Sequence, residues 1–144
     1  MQIKDVMTQN PEYIPSNCTL VEAAQRMKEL DTGFLAIGDD PKGKLQGVVT
    51  DRDITIRCVA EGADPNTTSV REAQTDRVLY CFEDDDVDDA ARNMQEQQVY
   101  RLIVLNNRDQ KRLSGIVTLG DIARRQENPS LVGQTAKGIT TRAA

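Results

Sequence analysis

The chain has 144 residues, 38% of them apolar and 28% charged, with a formal net charge of −5 and no histidine. An acidic chain lacks the basic face that nucleic-acid backbones require, so no nucleic-acid role is expected. The absence of histidine removes Ser-His and Cys-His nucleophile pairs, the usual general base and the usual zinc ligands, so no catalytic or metal residue is assigned.

No apolar run approaches the ~18 residues of a membrane span, and the opening Met1-Gln2-Ile3-Lys4-Asp5 has no signal-peptide core. A cytoplasmic protein is expected, with Cys18, Cys58 and Cys81 as free thiols.

In chain order, Ile3-Lys4-Asp5-Val6-Met7-Thr8 leads to a short strand over 12–15. A helix follows. Thr19 stands three residues before Glu22, a capping-box spacing, and Leu20, Ala23, Ala24, Met27 and Leu30 recur at helical period. The apolar run 34–37 reads as a buried strand. A polar turn over Asp39-Asp40-Pro41-Lys42-Gly43 leads to an antiparallel strand over 45–49. Another helix begins near Asp51, and 61–66 has the turn chemistry of a connector.

The same order then starts again. Val70-Arg71-Glu72-Ala73-Gln74-Thr75 matches the opening hexapeptide at an offset of 67, as do Ala90-Ala91, Met94 and Leu102 with Ala23-Ala24, Met27 and Leu35. From Gly47 onward the offset is 68. Gly47-Val48-Val49-Thr50-Asp51-Arg52-Asp53-Ile54 meets Gly115-Ile116-Val117-Thr118-Leu119-Gly120-Asp121-Ile122, and Arg57 meets Arg125. The second copy predicts a strand over 78–82, a helix capped by Asp86, strands over 102–105 and 113–117, and a helix from Leu119. The resulting plan is repeat one over 1–62, a connector over 63–69, repeat two over 70–127 and a tail over 128–144. Asn128-Pro129 is expected to stop the last helix and leave the tail mobile or partner-dependent.

Each copy sets a Thr and an Asp three residues apart where a strand enters a helix: Thr50 and Asp53, Thr118 and Asp121. One reading is a helix cap worth roughly 1 kcal/mol. The other is a ribose-phosphate cradle. There the helix start offers N–H groups and the Thr hydroxyl a donor to phosphate. The carboxylate accepts from a ribose diol, and Gly47 or Gly115 lets the ligand approach closely. Recurrence in both copies favours the cradle. The acidic residues Glu83 to Asp86, Asp88 and Asp89 read as a solvated turn and helix start rather than a metal cluster.

These motifs, with Val6-Met7-Thr8 and Val99-Tyr100-Arg101-Leu102-Ile103-Val104, resemble a tandem cystathionine-β-synthase (CBS) domain pair, or Bateman module, over about residues 1 to 127. Length and connector are similar to small stand-alone bacterial CBS-pair proteins, the hypoxic response protein type among them. The resemblance implies an α/β (α+β) fold of two β-α-β-β-α repeats, packed through their sheets with pseudo-twofold symmetry and leaving clefts between the repeats. It also implies a homodimer and a ligand among AMP, ADP, ATP, NAD and S-adenosylmethionine.

Carried onto this chain, the resemblance gives Asp53 and Asp121 the ribose, and Thr50 and Thr118 the phosphate. Thr8 and Thr75, with the backbone near Tyr13 and Tyr80, border the adenine. Arg101 points at phosphate, where a guanidinium grips two oxygens at once. Copy one has Phe34 in its place, and has Asp51-Arg52 where copy two has Leu119-Gly120. Arg52 supplies phosphate charge that Asp51 opposes, so the two sites are expected to be unequal. Metal binding credited to some relatives through Cys and His does not carry over to a chain without histidine.

The leading expectation is therefore an adenine-nucleotide sensor read by an unknown regulated protein. A constitutive dimerisation scaffold, with the Thr–Asp pairs as caps only, is the runner-up. An enzyme is the poorest fit.

Overall fold

In the computed structural model, which describes residues 1–9, 11–39, 44–125 and 128–141, the chain divides into two compact units. One is Glu12–Val78; the other joins Met1–Pro11 to Leu79–Ala144. The elements in chain order are β1 (Thr8–Gln9), β2 (Tyr13–Ile14), α1 (Leu20–Leu30), β3 (Phe34–Ile37), β4 (Gly47–Thr50), α2 (Asp51–Ile54), β5 (Tyr80–Phe82), α3 (Val87–Gln97), β6 (Arg101–Leu105), β7 (Leu113–Thr118), α4 (Leu119–Arg125) and α5 (Pro129–Thr140). Single 3₁₀ turns cover Ile3–Asp5 and Val70–Glu72, and α2 runs on as a π-helical turn over Thr55–Val59. The class is mixed α/β.

In the unit of residues 12–78 the sheet order is β2-β3-β4. β2 lies parallel to β3, and β3 lies antiparallel to β4 with Phe34 opposite Thr50. All four residues of β3 are buried, whereas β4 alternates, as a strand with one covered face does. Thr19 caps α1 by accepting from the Glu22 N–H at 3.2 Å, and α1 stops at Asp31, whose φ of 52° is left-handed. Leu20, Ala23 and Met27 turn the buried stripe of α1 onto Leu35, Ile37 and Val49.

The other unit carries the order β1-β7-β6-β5, with the same parallel and antiparallel pairings. Its fourth strand, β1, comes from the opening segment of the chain and lies antiparallel to β7, Thr8 opposite Ile116. The segment after the connector does the same for the unit of residues 12–78. There Thr75 and Val48 exchange main-chain bonds of 2.8 and 3.1 Å. Each copy's leading segment thus pairs with the sheet edge of the other copy.

Two expectations change. β4 and β5 start two residues later than their apolar runs suggested, at Gly47 and Tyr80. More substantially, Asn128-Pro129 starts a helix rather than only stopping one. The Asn128 side chain accepts from the Leu131 N–H at 3.1 Å, and Pro129 stands in the first turn, where no N–H is required. Helix α5 packs on α3 and α4, with Thr135 and Ile139 buried and Leu131 and Val132 against the same cluster as Met94 and Ile122. The expected turn at Asp40 to Gly43 and the last three residues of the tail, Arg142 included, lie outside the described residues.

Candidate functional site

The Thr–Asp pairs form the same closed ring of hydrogen bonds in both copies. The Thr50 N–H donates to Asp53 Oδ2 at 3.0 Å, and the Asp53 N–H donates to Thr50 Oγ1 at 3.1 Å. In the second copy the corresponding distances, Thr118 to Asp121 and back, are 2.9 and 3.0 Å. Both copies are therefore complete capping boxes. A hydroxyl that accepts such a bond keeps its own O–H to give, and a carboxylate keeps a second oxygen.

That second oxygen has an arginine beside it. Arg124 Nη2 sits 2.6 Å from Asp121 Oδ1. In the first copy Arg57 Nη2 stands 3.9 Å from Asp53 Oδ1. The Arg124 side chain is 71% exposed and the Asp121 side chain 10%, so the cation is free to swing while the carboxylate is held. Residue 124 of the second copy matches Ile56 of the first, which has no charge to offer. Its spacing of three from Asp121 on a helix is the signal in the sequence that points to Arg124.

The helix entrances offer fewer backbone donors than expected. The N–H of Asp51 bonds the Gly33 carbonyl, and that of Leu119 bonds the Tyr100 carbonyl, each at 2.9 Å. The Arg52 N–H is taken by Asp51 Oδ1 at 2.8 Å. With the Asp53 N–H bonded to the Thr50 hydroxyl as well, a ligand at the first copy would depend on side chains.

Gly47 and Gly115 also serve a different neighbour from the one expected. A Cβ on Gly115 would lie 2.6 Å from the Thr8 carbonyl oxygen, and one on Gly47 would lie 2.7 Å from Gln74 Cγ. What approaches these glycines is the crossing leading segment.

The crossing also sorts the remaining candidates. Thr8, Tyr80, Arg101, Gly115, Thr118 and Asp121 share one unit; Tyr13, Gly47, Thr50, Arg52, Asp53 and Thr75 share the other. Arg101 is the register partner of Thr118, at the strand end where α4 begins, as Phe34 is of Thr50. Thr8 and Thr75 lie beside β7 and β4. Tyr13 and Tyr80 are one strand removed, opposite Ala36 and Ile103, so they are not adjacent to the Thr–Asp pairs. Arg52 is exposed on the first turn of α2.

The acidic run is dispersed. Asp85 accepts from the Phe82 N–H, Asp86 caps α3 through the Asp88 N–H, and Asp84 stands 3.5 Å from Lys4. Among the described residues no three His, Cys, Asp or Glu side chains are placed to hold a metal ion. Cys18, Cys58 and Cys81 are separate buried thiols. No helix of the described residues is long and apolar enough to cross a membrane.

The CBS domain family matches residues 3–59 and again 70–128. The chain belongs to the CBS domain family and carries two repeats. Hypoxic response protein 1 of Mycobacterium tuberculosis is 39% identical to this CBS pair over 137 residues, covering 94% of this chain and 92% of that protein. A crystal structure of Hypoxic Response Protein I with two coordinated zinc ions has a TM-score of 0.74 at 38% identity, over 87% of this chain and 98% of that one. The CBS domain pair of protein MJ0100, solved in complex with 5′-methylthioadenosine and S-adenosyl-L-methionine, has a TM-score of 0.73 at 31% identity, over 86% and 94%. The zinc is a property of that relative; this CBS pair has no histidine, and its described residues offer no such ligand set.

Proposed function

We propose that this CBS pair is a cytoplasmic, homodimeric regulatory module that binds an adenine nucleotide (AMP, ADP, ATP or NAD) at its Thr–Asp turns and passes the bound state to a partner protein. In this reading it acts by binding rather than by catalysis, and among the described residues no three His, Cys, Asp or Glu side chains stand together to hold a metal ion. The carrying observation is the duplicated Thr–Asp ring, in which both copies present a hydroxyl and a held carboxylate in matching geometry. Asp121 and Asp53 accept from ribose hydroxyls, and Thr118 and Thr50 donate to phosphate. Arg101 and Arg52 add charge. Thr8 and Thr75, each beside the strand that runs into a Thr–Asp turn, border the base.

The two sites are unequal. Around Asp121 stand Arg101 at the facing strand end and Arg124 on the same helix. Around Asp53 stand Arg52 and Arg57, but Asp51 opposes them. The site of Asp121 therefore takes the phosphate more tightly. Ribose binding there displaces Arg124 from Oδ1 and frees it for phosphate. A relative solved with two adenosine-derived ligands supports this ligand class.

Calorimetry with AMP, ATP and NAD tests the reading. Asp121→Ala removes most of the binding heat while circular dichroism stays native, and Asp53→Ala removes less. The complete capping boxes favour the second reading, a scaffold in which these residues only start helices. Absence of heat with every adenine ligand establishes that reading instead. Native mass spectrometry reports bound nucleotide and the number of protomers together.

A further inference from the structure

Asp121 is the one charged residue that is buried among the described residues, at 8% exposure. A carboxylate withdrawn from water needs hydrogen bonds and a counter-charge. Asp121 has both. The Thr118 N–H donates to Oδ2 at 2.9 Å, and Arg124 Nη2 donates to Oδ1 at 2.6 Å. The arginine reaches the carboxylate across Gly120. A Cβ at that position would meet Arg124 Nη1 at 3.2 Å and Thr118 Oγ1 at 3.5 Å. The guanidinium therefore rests where a side chain of residue 120 would stand, with the hydroxyl beside it.

The first copy lacks this device. Arg52 occupies the position of Gly120, and Ile56 that of Arg124. The Asp53 side chain is 18% exposed, and Arg57, 3.9 Å from its Oδ1, is bonded to main-chain carbonyls. Arg57 corresponds to Arg125, so Arg124 is a cation that the second copy carries in addition. With 71% of its side chain exposed, Arg124 can leave Asp121 without crossing packed structure.

We infer that Arg124 makes the second Thr–Asp turn selective for anionic adenosine derivatives over neutral ones. The inference rests on the nucleotide reading above and deepens it. A neutral nucleoside whose ribose diol takes Asp121 Oδ1 evicts the guanidinium, covers the carboxylate and leaves it without a counter-charge. A phosphorylated nucleoside evicts the guanidinium too, but offers phosphate oxygens to its fork. The cation then exchanges one anion for another and stays near the carboxylate. At the first turn no close ion pair has to be broken, so the two kinds of ligand are treated more alike.

The test titrates the full-length protein, labelled with nitrogen-15, with AMP, ATP and adenosine. The Gly120 and Asp121 amides report the second turn and the Asp53 amide the first. Arg124→Ala is expected to weaken the phosphorylated ligands roughly tenfold, through loss of a charge-assisted bond, and to strengthen adenosine about twofold to threefold, because no exposed ion pair has to be broken. Arg124→Gln keeps the length, removes the charge and moves the ligands the same way. A merely structural role would weaken all three together. Adenosine that fails to strengthen, phosphorylated ligands that fail to weaken, or an equal change at the Asp53 amide overturns the inference and leaves the nucleotide reading standing. A wild-type protein that gives shifts with none of the three overturns the inference together with the reading it rests on.

Discussion

The Arg57 guanidinium donates to the main-chain carbonyl of Gln74 at 2.9 Å, and also reaches the Ala73 carbonyl at 3.3 Å. Its counterpart Arg125 donates to the Asp5 carbonyl at 3.3 Å. In each unit the arginine after the Thr–Asp turn ties the helix to the leading segment that borders the same turn. Asp5 corresponds to Glu72, so the two clamps are near copies of one another.

Arg57→Ala is expected to lower stability by about 1 kcal/mol, since the side chain is half exposed, and the melting temperature by about 3 °C. Arg125→Ala, whose bond to the Asp5 carbonyl is longer at 3.3 Å, costs less. Thermal denaturation of both variants followed by circular dichroism checks the order.

Gly115→Ala is expected to destabilise by about 1–3 kcal/mol, because its Cβ meets the rigid Thr8 carbonyl at 2.6 Å and Met7 Sδ at 2.7 Å. Gly47→Ala costs under about 1 kcal/mol, because the flexible Gln74 side chain can retreat. Hydrogen exchange at Gln9 rises in the first variant and stays unchanged in the second.

Ile139→Ala is expected to cost about 2–4 kcal/mol by opening a cavity beside Met94 and Ile122. Urea titration measures it. A loss near zero would show that α5 does not hold its unit together.

The Asp39 carboxyl is held below its ordinary value of 3.8, first by the Ser16 N–H at 3.0 Å and then by Gln46 and the Ser16 hydroxyl. A lowered folded value means that its stabilisation is complete above that ordinary value and fades as pH falls through the folded one. Asp39→Asn is expected to melt lower than the wild type at pH 7, with the gap closing below about pH 4. Melting curves of the pair across pH 2.5–7 read this directly.

Burial, with a smaller contribution from Asp85, pushes the Cys81 thiol up to about 12. In the native protein this thiol is expected to resist a disulfide reagent at pH 8, and to react at once in denaturant. Fast native labelling of Cys81 would show that β5 opens readily.

The duplication, the β-α-β-β-α order, the buried stripes of α1 and α3 and the Thr–Asp pairs were all legible in the chain, because each is a local pattern or a match at fixed offset. The candidate site was legible to the extent that its atoms lie within four consecutive residues, Thr50 to Asp53 and Thr118 to Asp121. Helix α5 was not, because Asn128-Pro129 serves equally as a stop and as a start, and only packing on α3 chooses between them.

The order of residues by itself determined two equivalent units, each with a strand-to-helix turn closed by a hydroxyl and a carboxylate. Tertiary structure alone decided which leading segment serves which turn. Thr8 lies with Gly115 and Thr75 with Gly47 because the unpaired edges of β7 and β4 need main-chain partners, and nothing local to a hexapeptide names the edge that it will satisfy.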